Sequence, residues 1–259
     1  MPFININQLK IFYIENKIRG IPLLFIHGWL GSSHEWIYQF SYFKSRCHII
    51  ILDLPGYGKS DKPNTKYSID FFTKVIVDFL QQLGYDEVIL IGHSLGGLIA
   101  QNITIQYPIL VKKLILISTS AISEPKNKKF LLFCVNLIFK LAYANFLKST
   151  IKRINSTESV NIDVRRQHKN ALTIPKSVVL NTFKHMTSKF KVNENLSKIP
   201  HPILILYGTE DRIISKSEIF TLGNLIPNSD ITIIDNSPHR VMVKNYEKVN
   251  KLIYDFIKI

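Results

Sequence analysis

A wholly apolar run, Val88–Ile91, leads directly into Gly92-His93-Ser94-Leu95-Gly96-Gly97, and helical periodicity then continues to about Tyr107, ahead of Pro108. A buried strand, a turn too tight for side chains at its flanks and a helix stopped by proline follow from that order. The pattern recurs along the chain. Pro22–His27 is an apolar run that stops at Gly28, and Ile49–Leu54 ends at the turn-rich Pro55-Gly56-Tyr57-Gly58. Ser68 is placed to cap a helix with Ile69, Phe72, Ile76, Phe79 and Leu80 on one stripe. Lys113–Ser118, Ile203–Tyr207 and Ile231–Ile234 read as further strands, with helices near Ile214–Leu225 and from about Tyr246. Leu9–Glu15 alternates weakly, as an edge strand does. Apolar strands separated by helices predict an α/β fold, a mostly parallel sheet covered on both faces.

From Ile122 to Lys191 the rhythm breaks, and only helical stretches are found. One core, 1–121 with 192–259, is therefore expected to carry a helical insertion at 122–191, of about seventy residues and so the size of a small domain. An insertion after the carboxyl end of a strand lies over the edge where open α/β sheets bind ligands. It is expected to act as a lid.

A serine hydroxyl is a weak nucleophile until a base takes its proton and donors stabilise the oxyanion. Ser94 stands at the end of a strand with Gly92 and Gly96 two residues to either side, the strand–turn–helix setting that a G-x-S-x-G elbow requires. The start of the following helix also offers backbone N–H groups to developing negative charge.

Further landmarks lie in a fixed order: His27-Gly28-Trp29, then Asp53-Leu54-Pro55-Gly56-Tyr57-Gly58-Lys59-Ser60, the elbow, Gly208-Thr209-Glu210-Asp211-Arg212 and the late His239. On these residues the chain resembles the α/β-hydrolase superfamily over nearly its whole length, and within it the small cap-bearing serine esterases. The resemblance implies Asp211 as triad acid, His239 as base, and an oxyanion hole formed by the backbone N–H groups of Trp29 and Leu95. Its His-Gly-Trp segment is similar to that of carboxylesterases of the pimeloyl-carrier-protein methyl ester esterase type. In one place the chain departs from the family, which commonly has glycine before the catalytic histidine; here Pro238 precedes His239.

Several residues have competing readings. Asp211 could cap the turn into Ile213-Ile214, and neighbouring Glu210 competes for the role of acid. Asp235 is too near His239 in sequence to replace Asp211 as the acid easily. His27 is expected to hold the oxyanion loop, and His93 to occupy the variable position before the nucleophile. Gly56-Tyr57-Gly58-Lys59-Ser60 ends like a phosphate-binding loop, but Asp53 stands where its first glycine belongs, and Asp61 where a dinucleotide fingerprint needs its third. No cluster has metal-ligand spacing, so no cofactor and no metal are expected.

The chain carries 33 Lys+Arg against 19 Asp+Glu, a net charge of +14. Without an Arg–aromatic stripe this excess is read as a composition bias, and no nucleic-acid partner is expected. Two cysteines, Cys47 and Cys134, form no framework, and the amino terminus lacks a signal-peptide pattern, which predicts a cytoplasmic protein. Phe130–Leu147 is broken by Asn136, Lys140 and Asn145, which is poor for spanning a bilayer.

The expected reaction is hydrolysis of a small-molecule carboxylic ester. Alternatives using the same scaffold are carbon–carbon bond hydrolysis of a diketone and a slow-turnover ligand receptor. The apolar block Phe130, Leu131, Leu132, Phe133, Val135, Leu137, Ile138 and Phe139 could line an acyl pocket or simply pack the lid. Its flanking lysines suit an acidic acyl carrier protein; contact with a membrane surface is the less favoured reading.

Overall fold

In the computed structural model, which describes residues 2–121, 172–186 and 193–258, the apolar runs become eight strands of one sheet. They are β1 (Phe3–Ile6), β2 (Leu9–Asn16), β3 (Leu23–Ile26), β4 (Ile49–Leu52), β5 (Val88–His93), β6 (Val111–Ile117), β7 (Ile203–Gly208) and β8 (Ser229–Ile234). Their spatial order is β1-β2-β4-β3-β5-β6-β7-β8, antiparallel at the β1/β2 and β2/β4 pairs and parallel elsewhere. This is the α/β-hydrolase fold that the sequence predicts.

The edge is a correction. Leu9–Asn16 is not outermost, because Phe3–Ile6 pairs with it through a hairpin whose two turn residues, Asn7 and Gln8, both have positive φ (48° and 68°). Such a turn favours Asn-Gly; with glutamine in the second place, the sequence carries no clear hairpin signal.

Both faces of the sheet are apolar, with a period of two. Leu24, Ile26, Leu90, Leu114, Leu116, Ile203 and Ile205 point into one core, whereas Leu23, Phe25, Ile89, Ile91, Ile115, Ile117, Leu204 and Leu206 point into the other. Helices α1 (Ile37–Phe43), α2 (Ile69–Gln82), α3 (Leu95–Gln106), α4 (Lys176–Met186), α5 (Lys216–Leu225) and α6 (Tyr246–Lys258) supply the cover. Ile76 and Leu80 of α2, Ile99 and Ile103 of α3 and Leu222 of α5 join the first core; Phe43 of α1 and Val249 and Ile253 of α6 join the second. Each large apolar side chain so buried contributes about 1.5–3 kcal/mol.

Local signals set the helix starts. Ser68 accepts from the Phe71 N–H at 3.2 Å, and Ser215 forms a capping box with Glu218. A buried polar link ties α3 to α2: Asn102 Nδ2 donates to Thr73 Oγ1 at 2.9 Å and to Asp70 Oδ1 at 3.1 Å.

Of the expected lid, only 172–186 lies among the described residues, where α4 is helical as predicted. The apolar block at 130–139 lies outside them. No helix of the described residues is long and apolar enough to cross a membrane.

Candidate functional site

The parallel strands β3, β5, β7 and β8 deliver their carboxyl ends to one edge of the sheet; Gly92 lies near the end of β5, and Trp29, Ser94, Leu95, Gly96, Asp211 and His239 follow these strands. Ser94 leaves β5 with φ 51° and ψ −116°, a conformation that an L-residue adopts only when its surroundings impose it. They do so here. The Ser94 N–H donates to the Ile117 carbonyl at 3.0 Å, and the Ser94 carbonyl accepts from Gly97 N–H, Leu98 N–H and Thr119 Oγ1. The two flanking glycines are required by contact: a Cβ on Gly96 would collide with the Ile26 carbonyl, and one on Gly92 with the backbone of Gly96. Ser94 itself remains partly accessible.

Leu95 opens α3, and the first N–H groups of a helix have no carbonyl partner within it. Trp29 follows β3 in a loop where Leu30 has φ 62° and the Gly31 N–H returns to the Gly28 carbonyl at 3.0 Å. The Trp29 ring packs on Phe183 of α4 at 5.4 Å between centroids. Alongside, Tyr57 donates to Thr182 Oγ1 at 2.9 Å, and Asn181 Oδ1 accepts from the Tyr67 N–H at 2.9 Å. Helix α4 is thus fastened to the Gly56-Tyr57-Gly58 turn and to the Trp29 loop.

Asp211 and His239, 28 residues apart, are joined: His239 Nδ1 donates to Asp211 Oδ2 at 2.8 Å, and the Asp211 side chain is fully shielded from solvent. The two sequence readings of Asp211 coexist. Its Oδ1 accepts from the Ile213 and Ile214 N–H groups at 2.8 and 3.0 Å, which fixes the carboxylate while Oδ2 faces the imidazole. Burial pushes the Asp211 carboxyl up, but the bond and charge of His239 and the two N–H donors outweigh it, so its pKa lies below the ordinary value. Burial is also the main influence on His239 and lowers its pKa; the Asp211 bond partly offsets this, and His93 adds to the lowering. A neutral imidazole with Nδ1 protonated leaves Nε2 free to act as a base.

Pro238 is exposed, and the loop it belongs to is held by its neighbours. Buried Ser237 accepts from the Glu210 N–H at 2.8 Å through its carbonyl, and the Asn236 N–H donates to Thr209 Oγ1 at 3.0 Å. The base loop and the acid loop are therefore clamped directly to each other. Glu210, the rival acid, lies exposed in that clamp.

His27 behaves as expected of a loop support: its Nε2 accepts from the Leu54 N–H at 3.1 Å, which leaves Nδ1–H to reach the Gly28 carbonyl at 2.8 Å. Burial lowers its pKa, in keeping with that neutral tautomer. Asp53, buried at the end of β4, accepts from the Ser33 and Lys59 N–H groups and so ties the Trp29 loop to the Gly-Tyr-Gly turn.

His93 is a correction. It is more than a spacer before Ser94, because it forms a buried ion pair with Glu35 and its Nε2 donates to the His239 carbonyl at 3.1 Å. Sequence reasoning missed Glu35 altogether; it stands in a polar-looking Ser-Ser-His-Glu stretch with no motif to mark it.

A sheet of this topology, with a strained serine between β5 and α3 and a hydrogen-bonded aspartate–histidine pair on the loops after β7 and β8, has the arrangement of an α/β-hydrolase. A family model for the alpha/beta hydrolase fold matches residues 21–246, and the chain belongs to that family. Among similar proteins it is 27% identical to human epoxide hydrolase 4, over 96% of this chain and 76% of that protein. It is also 27% identical to the uncharacterized hydrolase YugF of Bacillus subtilis, over 98% and 96% of the two chains. Among solved structures, the esterase EaEST of Exiguobacterium antarcticum superposes with a TM-score of 0.86 at 21% identity, covering 99% of each chain. The esterase likeness is one of fold.

Proposed function

We propose that this hydrolase cleaves carboxylic esters of small molecules through an acyl-Ser94 intermediate. The observation that carries the reading is the His239–Asp211 pair, 2.8 Å apart, on loops clamped beside the elbow that presents Ser94. In this reaction His239 Nε2 takes the Ser94 proton as Oγ attacks the ester carbonyl. The tetrahedral oxyanion is held by the N–H groups of Trp29 and Leu95, and collapse expels the alcohol, which receives that proton. His239 then deprotonates a water that attacks the acyl-enzyme, releasing the acid and restoring Ser94.

Epoxide hydrolase relatives raise a second reading, and residue 94 argues against it. Attack by a carboxylate on an epoxide gives an ester, which water can cleave; attack by a serine would give an ether, with no carbonyl for water to add to. Ring opening by covalent catalysis on Ser94 would therefore trap the enzyme.

The Trp29 ring, packed on Phe183 of α4, puts aromatic surface on the loop proposed to hold the oxyanion, and this supports an apolar acyl group. Labelling with a serine-directed fluorophosphonate, followed by a chain-length panel of p-nitrophenyl esters, tests the proposal. Labelling that is lost in Ser94→Ala and ester turnover by the wild type are expected; an unlabelled wild type, or Ser94→Ala with full esterase activity, rules it out.

A further inference from the structure

Glu35 and His93 are 1% and 2% exposed, and Glu35 Oε1 meets His93 Nδ1 in an ion pair. Burying a carboxylate costs several kcal/mol unless it is paired well. Apart from the ion pair with His93, neither Glu35 oxygen has a hydrogen-bond partner among the described residues. Burial works to raise the Glu35 carboxyl, but the charge and hydrogen bond of His93, helped by Arg240 and His27, hold it at about 2. A charge so confined is placed for something other than solvation.

The pair links the Trp29 loop, the elbow and the His239 loop. Glu35 lies in the short helix Ser33–Trp36 that follows the Trp29 loop, and His93 precedes the nucleophile. The other ring nitrogen of His93 donates to the His239 carbonyl at 3.1 Å, and the two imidazoles lie 4.8 Å apart. The glycines of the Trp29 loop leave room for this arrangement. A Cβ on Gly28 would lie 2.9 Å from His93 Nδ1, and one on Gly31 would collide with Glu35 Oε2. A flip of the ring would give up both the Glu35 contact and the His239 carbonyl.

We propose that Glu35 and His93 are positioning residues: Glu35 fixes the His93 ring, and the His93 Nε2–H holds the His239 backbone, setting the base against Ser94 from behind. This rests on the reading of Ser94 and His239 as nucleophile and base. Positioning errors of about 1 Å can cost roughly 100-fold in rate.

His93→Leu removes the donor and His93→Gln supplies another in its amide, while Glu35→Gln keeps the shape and removes the charge. Each is compared with wild type for kcat and KM on a p-nitrophenyl ester and for the rate of fluorophosphonate labelling, with circular dichroism to confirm folding. His93→Leu is expected to lose about 10- to 100-fold in kcat and in labelling rate at nearly constant KM, with His93→Gln recovering most of the loss. Should His93→Leu fail to fold, Glu35→Gln is expected to show a smaller kcat loss of the same kind. Folded variants that label and turn over at the wild-type rate overturn the proposal while leaving Ser94 as nucleophile. A wild type that is not labelled overturns the triad reading, and this one with it.

Discussion

His239 Nδ1 and Asp211 Oδ2 stand 2.8 Å apart across the loops that leave two adjacent parallel strands, β7 and β8. The acid's second oxygen is occupied by the Ile213 and Ile214 N–H groups, so the carboxylate cannot rotate away from the imidazole without losing two hydrogen bonds. One side chain shapes the turn and orients the base at once.

That division of labour makes Asp211→Asn an informative substitution. The amide oxygen can still accept from Ile213 and Ile214, but an NH2 group then faces Nδ1 and favours the wrong tautomer. A loss of about 10⁴-fold in kcat is expected, with the protein still folded. Glu210→Gln, at an exposed position, is expected to leave kcat within about twofold, since Asp211 and not Glu210 is bonded to the imidazole. Steady-state kinetics on one ester decides between the two acids.

Burial depresses the pKa of His239, and the base works in its neutral form. Activity should therefore rise with pH through that value and be nearly complete by neutrality. The acid limb of kcat/KM, which reports the free enzyme, is expected to have its midpoint below 6.5, the ordinary histidine value. A midpoint above 6.5 would mean that Asp211 outweighs burial.

Two glycines separate steric from conformational cost. Gly96 has no room for a Cβ beside the Ile26 carbonyl, whereas Gly84 has open space but φ 78°. Gly96→Ala is expected to destabilise by about 3 kcal/mol, because backbone rather than a yielding side chain is struck. Gly84→Ala is expected to cost about 1 kcal/mol from the left-handed conformation alone. Urea unfolding of the two variants measures both.

Glu35 is held at about 2 against an ordinary 4.5, so its pairing stabilises the fold fully above pH 4.5, and that stability is lost as pH falls through about 2. Between those limits the unfolded chain takes up the proton first. In Glu35→Gln this part of the acid dependence should vanish, which gives a flatter stability curve between pH 4.5 and 2. Chemical denaturation across that range measures the slope; an unchanged slope would place the acid sensitivity elsewhere.

The strands from β2 onward, the elbow at Ser94 and the landmark loops that carry Asp211 and His239 were legible in the chain. Apolar runs, helical stripes, glycines and prolines act over a few residues, and their physics is local. The preference for Asp211 over Glu210 was read from its place in the Gly208–Arg212 loop. In the structure Asp211 is turned inward by two N–H groups and pairs with His239, whereas Glu210 lies at the surface.

What tertiary structure alone decided is which distant groups share a buried space. The outer strand Phe3–Ile6 carries no strong turn signal and forms because β2 offers it an open edge. Glu35 looks like an ordinary polar residue until folding closes it against His93, and His93 in turn meets a carbonyl 146 residues away. No periodicity encodes that meeting. It arises where three loops converge at one edge of the sheet, water is excluded, and a carboxylate buried there is costly without a close partner.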